Sequence, residues 1–265
     1  MARLSAFITT FNNSRTLAAC LRSVAWADEI VVLDSFSTDD TCDIATQFGC
    51  ALYQHEFMGY GPQKQLALDK TTHEWVLLLD ADEMLSQALV TEIRQLLENE
   101  PAADGYEIPR QEQVFWRMAT RAVRMNHYLR LFRKSNGHVS DMPIHAAPKV
   151  HGRVVRLKAS FYHFGETNVH TKVEKINAYS SGLVEHKRRG RTAVNPLVLV
   201  FYPPWFFVRS YLFKRGFLNG WAGFIASSVA AFYVFLKYAK LYERYRFEQR
   251  VPESMPPDSP PPPAL

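Results

Sequence analysis

The chain has 265 residues, of which 47% are hydrophobic and 22% are charged, so it can bury a sizeable core. This composition excludes a wholly disordered chain, a collagen and a coiled coil. The three cysteines (Cys20, Cys42 and Cys50) form no CxxC pair, which argues against a zinc ribbon and favours a reducing compartment. The net charge of +5 suits an anionic partner, either nucleic acid or an acidic membrane surface.

The first third of the chain alternates short β-branched runs with helical stretches. The pattern predicts strands at residues 4–9, 29–34, 51–54 and 75–80 and helices at residues 14–26, 63–71 and 87–99. A further helix is predicted to start at Ser37, because Asp40 three residues on resembles a capping box. Strands that alternate with helices predict an α/β fold with a doubly wound, mostly parallel sheet.

Shorter strand-like segments follow at residues 106–109, 128–133 and 160–164. They predict an extension of the sheet that forms an acceptor-binding face. A helix is then predicted from about Val169 to Lys187, where a basic run begins.

The C-terminal region has an unusual composition. Residues 192–208 carry no charge, and neither do the 21 residues at 216–236. A bilayer-spanning helix needs about 20 apolar residues, but basic residues flank both ends of the second stretch and give no orientation. Aromatic residues interleaved with Arg and Lys favour an interfacial or re-entrant membrane element over the alternatives, a buried core helix or a single span.

The composition therefore predicts three regions. Residues 1–167 would form the α/β domain, residues 168–250 would form a helical membrane-associating region, and residues 251–265 would be a proline-rich disordered tail without catalytic function.

Polar side chains fall at the ends of the predicted strands, at Thr9, Asp34, Asp80 and Asp82. In open α/β sheets, ligands bind beyond these carboxyl ends. Neither GxGxxG after the first strand nor GxxxxGK[ST] occurs, so a dinucleotide or P-loop cradle is not expected. Carboxylates hold a diphosphate through a divalent cation, so Asp80-Ala81-Asp82 predicts Mg²⁺ or Mn²⁺ beside a nucleotide diphosphate. The alternative is a pair of surface turn carboxylates.

Several motifs together resemble family 2 glycosyltransferases of the GT-A fold, and within them the group similar to lipopolysaccharide core β-1,4-glucosyltransferases. The resemblance extends from the N-terminus to about residue 240. The motifs are ITTFNN (8–13), ADEIVVLDSFSTDDT (27–41), GYGPQKQLAL (59–68), WVLLLDADE (75–83), GYEIPR (105–110), LRLFRK (129–134) and VSDMPIH (139–145).

This resemblance implies that residues 1–167 bind nucleotide-sugar and acceptor, and it implies roles for the residues that bind the donor. Asp34 would contact the nucleotide base and Thr9 would line the uridine pocket. Asp80 and Asp82 match the aspartates that bind metal and ribose-diphosphate. Lys64 falls where a cation could meet the diphosphate, or it is an ordinary helix-surface lysine.

The resemblance also implies inverting transfer, which needs a general base for the acceptor hydroxyl. Relatives commonly have a glutamate directly after the histidine that matches His145, but this chain has Ala146. Asp141, His145 and Glu83 are the candidate substitutes. His163 could complete the metal site as a third protein ligand, or it could be a packed core histidine.

The expected reaction transfers a hexose from a UDP-sugar to a lipid-linked saccharide, with lipopolysaccharide core as the expected acceptor. It would take place at the cytoplasmic face of the inner membrane, without nucleic acid, on a peripheral or re-entrant protein. Arg110, with Arg117, Arg121 and Arg124, could bind acceptor phosphates. The alternatives are a non-catalytic nucleotide-sugar sensor or membrane scaffold of the same fold, which Ala146 favours, and a nucleotidyltransferase, which the missing glycine-rich loop disfavours.

Overall fold

The computed structural model describes residues 2–140, 147–186 and 195–249. The chain divides into two compact units, one of Met1–Gln113 with Met118–Gly165 and one of Val114–Arg117 with Glu166–Leu265. The predicted boundary between regions 1–167 and 168–250 differs from this division, which assigns residues 114–117 and 166–167 to the second unit. The predicted functions of the two regions stay a prediction. The tail at residues 251–265 and Lys187 lie outside the described residues.

The first unit begins with strands and helices in alternation. In chain order these are β1 (Leu4–Thr10), α1 (Ser14–Val24), β2 (Glu29–Asp34), α2 (Thr41–Gln47), β3 (Ala51–Gln54), α3 (Tyr60–Asp69), β4 (Trp75–Asp80), β5 (Glu83–Leu85) and α4 (Gln87–Glu98). Shorter elements follow: β6 (Gly105–Val114), β7 (Arg117–Met118), β8 (Asn126–Arg133), β9 (Gly137–Val139), β10 (Pro148–Val150), β11 (Val154–Arg156) and β12 (Phe161–His163).

The sheet order is β3-β2-β1-β4-β8-β6-β12-β5. The strands β3, β2, β1 and β4 are parallel, and the register pairs Thr10 with Asp34 and Thr9 with Asp80. The predicted strand ends therefore meet at one edge of the sheet. Beyond β4, the pairs β4–β8, β8–β6 and β12–β5 are antiparallel, whereas β6 and β12 are parallel.

The core lies on both faces of the central strands. Alternate residues of β4 face opposite sides, so Leu77 and Leu79 pack with α1 and α4 while Val76 and Leu78 pack with α3. All four side chains are fully buried. An uninterrupted apolar strand is typical of a sheet covered on both faces.

The helix predicted to start at Ser37 is wrong in its boundary, because α2 starts at Thr41 and Asp40 is only its N-cap residue. Asp34 accepts a hydrogen bond from the Ser37 backbone N–H at 2.8 Å, which holds the intervening residues in a loop. Phe36 in that loop has φ of +60°, a left-handed conformation that no helix residue adopts.

The second unit contains α5 (Val169–His186), α6 (Leu197–Val208) and α7 (Gly220–Gln249). A π-helical turn at Arg209–Phe213 and a 3₁₀ turn at Gly216–Asn219 connect α6 to α7. Both α5 and α6 pack against α7. The segment Gly216–Arg246 has the length and composition to cross a membrane, a property that core helices of soluble proteins can share.

Candidate functional site

The loops after β1 and β2 are tied together by hydrogen bonds. Asn12 donates its backbone N–H to Ser37 Oγ at 2.8 Å and accepts from the Thr38 N–H at 2.9 Å. Asn13 donates its N–H to Thr41 Oγ1 at 2.8 Å. Asn12 has φ of +50°, which asparagine tolerates better than most residues. These bonds form a well-defined rim beside the carboxyl ends of the parallel strands.

Asp34 is fully buried beneath this rim. Its carboxylate accepts hydrogen bonds from the backbone and hydroxyl of Ser37 and, at 3.2 Å, from Gln54 Nε2. Asp34 therefore shapes the loop that follows β2. Its contact with a nucleotide base stays a prediction.

Thr9 and Thr10 end β1 between Asp34 and Asp80. Thr9 is half-buried at the register position of Asp80. The Thr10 hydroxyl is buried, and no hydrogen-bond partner for it lies among the described residues. A buried hydroxyl without a partner costs free energy, so it is a group that a ligand or water could satisfy.

Asp80 lies between two cations. Its carboxylate is 2.5 Å from Lys64 Nζ and 3.2 Å from Arg130 Nη2. Burial raises the pKa of Asp80, but Lys64 and Arg130 outweigh it and hold this pKa well below its usual range. Lys64 is itself buried, so it is not a helix-surface lysine. Asp80 is thus a fixed anion whose oxygens are already paired, which does not fit a direct metal ligand.

Glu83 does not fit the role of general base. It has no exposed surface, and its carboxylate accepts from Arg130 at 2.6 Å and from the Asp80 backbone N–H at 3.0 Å. Burial raises the pKa of Glu83, while the charge of Arg130 opposes that shift. An acceptor hydroxyl cannot contact a carboxylate buried in this way, so Glu83 is a structural anchor for the turn after β4.

Asp82, His163 and Glu112 form a row next to the end of β4. His163 Nε2 lies 3.4 Å from Asp82 Oδ2, and His163 Nδ1 lies 2.6 Å from Glu112 Oε2. The sheet register produces this row, since β12 pairs with β6 at Glu112 and with β5 at Glu83. Burial lowers the pKa of His163, but hydrogen bonds to both carboxylates outweigh it and raise the pKa to about 9.

Arg110 is largely committed to contacts within the protein. It donates to Glu112 at 2.8 Å and to the Tyr128 hydroxyl at 2.9 Å, and its guanidinium lies over the Tyr128 ring. Because its guanidinium is engaged in these contacts, Arg110 does not fit the predicted role of binding acceptor phosphates. Arg110 instead holds Glu112 in position.

The donor set fits a divalent cation in part. No group of three or more His, Cys, Asp and Glu side chains arranged for a metal ion occurs in the described ranges. Asp82 and His163 do converge, and Glu112 on the second ring nitrogen is the partner that metal-bound histidines commonly have. Asp82 could hold an ion together with His163, once the ion displaces the proton from His163 Nε2.

The two remaining candidate bases, Asp141 and His145, lie outside the described residues, as does Ala146. The sequence analysis missed Arg130 and Glu112. A signal existed for Arg130, which is a charged residue flanked by Leu129 and Leu131 inside the predicted strand 128–133. Glu112 gave less signal, because it lies beyond the strand predicted at residues 106–109.

Comparison with known proteins gives the family. The sequence profile described as Glycosyl transferase family 2 matches residues 5–149. The chain is 31% identical over 256 residues to the lipopolysaccharide core biosynthesis glycosyltransferase LpsC of Rhizobium meliloti, covering 93% of this chain and 94% of LpsC. The chain belongs to glycosyl transferase family 2. The resemblance found in the sequence is therefore confirmed, and the class of reaction is glycosyl transfer.

A second curated relative agrees with this membership. An uncharacterized glycosyltransferase of Rickettsia felis is 30% identical over 259 residues, covering 92% of this chain and 90% of that protein. Among solved structures, S. aureus TarS (residues 1–349) is 17% identical, with 93% of this chain and 92% of that chain covered and a TM-score of 0.47. The family and the curled, mostly parallel sheet confirm the predicted α/β fold of GT-A type.

Proposed function

We propose that this glycosyltransferase moves a hexose from a UDP-sugar to a lipid-linked saccharide of lipopolysaccharide core, with inversion at the anomeric carbon. The observation that carries the proposal is the convergence of Asp82 and His163, 3.4 Å apart, beside the fixed carboxylate of Asp80. They lie at the carboxyl edge of the parallel strands, where ligands of open α/β sheets bind. The similarity to LpsC supports the choice of acceptor.

Each residue of the site has a binding function in this proposal. Asp82 and His163 would hold a divalent cation, Mg²⁺ or Mn²⁺, while Glu112 fixes the orientation of the His163 ring. Such an ion, when bound, would neutralise charge on the departing diphosphate. Lys64, held at Asp80, adds a further positive charge next to the diphosphate. Thr9 lines the nucleoside pocket.

In the transfer, an acceptor hydroxyl oxygen bonds to the anomeric carbon on the face opposite UDP. The bond between that carbon and the diphosphate oxygen breaks, and UDP leaves with the electron pair. A base within about 2.6–3.2 Å takes the hydroxyl proton. Asp141 and His145 remain the proposed candidates for this base.

The acceptor class places the reaction at a membrane. A lipid-linked saccharide is presented at the bilayer surface, and the exposed aromatic residues of the second unit support attachment there. We place the protein at the cytoplasmic face of the inner membrane, where UDP-sugars are available. Attachment raises the rate of encounter with an amphiphilic acceptor.

Two measurements test the proposal. UDP and UDP-hexoses should raise the melting temperature more with Mn²⁺ present than without it, since a ligand at one hundred times its Kd stabilises by about 2.7 kcal/mol. UDP should then be released only when a lipid-linked core saccharide is supplied. Equal stabilisation by ADP-sugars, or no effect of any nucleotide sugar, would contradict the proposal.

Ala146 favours a second candidate, a non-catalytic sensor of nucleotide-sugars that kept the fold and lost the base. This protein would bind a UDP-sugar tightly and release no UDP with any acceptor. The same release assay therefore separates the two functions.

A further inference from the structure

We infer that the second unit has a defined membrane-docking end, which inserts into the headgroup layer of an anionic bilayer without crossing it. The docking end consists of residues 116–117, where β7 starts, and residues 209–221, from the residue after α6 to the first turn of α7. The biological role of this docking end rests on the proposed function, because the lipid-linked acceptor would be encountered at the membrane surface that it binds. The physical basis of the inference is independent of the reaction.

The docking end exposes large apolar side chains that a water-facing surface would not normally carry. Trp221 is 77% exposed, Phe213 is 65% exposed and Trp116 is 63% exposed. Leu212, Phe217 and Leu218 are exposed as well. Large exposed apolar side chains that are concentrated in one region are typical of an interaction surface. Tryptophan in particular is enriched where a protein meets lipid headgroups.

Residues far apart in sequence are joined at this end. Arg117 Nη1 donates to the carbonyl oxygen of buried Asn219 at 3.5 Å, so the turn between β6 and β7 lies beside the 3₁₀ turn before α7. Phe115 is buried and has φ of +54°, a strained conformation for an aromatic residue. The turn therefore buries one ring and holds the next one, Trp116, in solvent.

The charge of this region complements an anionic surface. Residues 195–236 contain Arg209, Lys214 and Arg215 and no Asp or Glu. Residues 195–249 contain seven Lys and Arg and two Glu, so they carry a net charge equal to the +5 of the whole chain. Anionic lipids attract such segments. A second copy of this chain would bring like charges together, which disfavours it as the occupant.

The packing of α7 limits how deep this end can insert. Lys240 on α7 donates to the Asn177 carbonyl at 2.9 Å and to the hydroxyls of Ser180 and Ser181 at 2.8 Å. Those partners lie on α5, a helix whose charged side chains would have to enter hydrocarbon if α7 crossed the bilayer. The part of α7 that could enter hydrocarbon is therefore limited to residues 220–236. At about 1.5 Å per residue, this segment is shorter than the roughly 30 Å hydrocarbon core.

Vesicle flotation of the full-length protein tests the inference. We expect binding to phosphatidylcholine vesicles that contain phosphatidylglycerol and weaker binding to phosphatidylcholine alone. The double variant Trp116→Ser/Trp221→Ser should lower the partition coefficient roughly ten-fold or more, because two aromatic side chains no longer leave water. Arg209→Gln/Arg215→Gln should lower it roughly five-fold per arginine on the anionic vesicles only, the change that about 1 kcal/mol produces.

Tyr179→Ser is the matched control, since Tyr179 is an exposed aromatic residue of the same unit but lies on α5. Its vesicle binding should equal that of the unmodified protein. The melting-temperature rise with UDP and Mn²⁺ should be the same in all variants. A variant that binds vesicles less but keeps the melting-temperature rise would support the inferred docking end. If the unmodified protein shows no melting-temperature rise with UDP and Mn²⁺, that result counts against the proposed function alone.

Quenching of tryptophan fluorescence by brominated lipids measures how deep the docking end lies in the bilayer. Lipids brominated near the headgroup should quench the emission more than lipids brominated near the chain ends, and the double tryptophan variant should lose this quenching. Undiminished flotation of the double variant would overturn the inference. Resistance to alkaline carbonate extraction, which indicates a spanning helix, would overturn it too, as would dimerisation through this end without vesicle binding.

Discussion

Arg130 compensates the negative charges of Asp80 and Glu83 in the interior of the site. Its Nη2 lies 2.6 Å from Glu83 and 3.2 Å from Asp80, and Arg130 is only 5% exposed. Removing one partner of a buried ion pair leaves an uncompensated charge, which costs about 3–5 kcal/mol. Arg130 therefore stabilises the turn that presents Asp82, although it would not itself touch substrate.

We expect Arg130→Met to lower the free energy of unfolding by about 3–5 kcal/mol, measured by urea denaturation at neutral pH. Arg130→Met/Glu83→Gln should be less destabilised than the sum of the two single changes, because the second change removes the buried charge that the first one strands. Additive losses would show that the Arg130–Glu83 pair is not coupled.

Asp82→Asn should reduce glycosyl transfer by at least about a hundred-fold while leaving the melting temperature within about 2 °C, since this half-exposed side chain supports no core contact. The stabilisation by Mn²⁺ with UDP should be lost in parallel. Asp43→Asn, at an exposed aspartate of α2, is the matched control and should keep both the glycosyl transfer and the stabilisation by Mn²⁺ with UDP. Full transfer by the Asp82→Asn protein would remove the proposed role of this carboxylate.

At the scale of elements, the N-terminal end of α5 depends on an ion-paired carboxylate. Glu166 lies 2.9 Å from Lys172 Nζ and 2.7 Å from Lys175 Nζ. Burial raises the pKa of Glu166, but hydrogen bonds from both lysines outweigh it and lower the pKa to about 2. The folded pKa is thus below the unfolded value of about 4.5. The stability that this group contributes is present above pH 4.5 and is lost as pH falls toward 2.

We therefore expect Glu166→Gln to lower the free energy of unfolding by about 1–2 kcal/mol at pH 7, the lower end being set by solvent screening of two partly exposed lysines. Between pH 4.5 and pH 2 the variant should lose less stability than the unmodified protein. The measurement is urea unfolding monitored at several pH values. Parallel curves for the two proteins would show that Glu166 is not the titrating group.

At the scale of the whole molecule, positive charge is concentrated at one end of the chain. Since residues 195–249 carry a net charge as large as that of the entire chain, the other residues sum to about zero. A donor site built around paired ions and a strongly basic helical unit should therefore respond differently to salt. The screening length is about 10 Å at 0.1 M salt and about 3 Å at 1 M.

We expect flotation with anionic vesicles to weaken steadily as NaCl rises from about 0.05 M to about 0.5 M, because screening removes the attraction between arginines and lipid phosphates. Residual binding at high salt should match that to neutral vesicles, since the aromatic contribution does not depend on charge. Neutral vesicles are the control. Salt-independent binding to anionic vesicles would show that the basic residues contribute little.

Local sequence patterns and motifs were enough to locate the strand ends and to predict the family. Apolar runs such as residues 75–80 report burial on both faces, and the parallel order β3-β2-β1-β4 then brings Thr9, Asp34 and Asp80 to one edge. The start of α2 was beyond local reasoning, because propensity at Ser37 was overridden by the hydrogen bonds to Asp34 and Asn12.

Which charged side chains pair with one another depends on the folded arrangement of the strands and helices. Lys64 and Arg130 come from α3 and β8, and Glu112 comes from β6, yet each of them contacts a residue at the end of β4, in β5 or in β12. Cross-strand register sets these encounters, and it depends on which strands become neighbours in the sheet. Local periodicity carries no information about that choice, so Asp80 could be found from the sequence while its pairing could not.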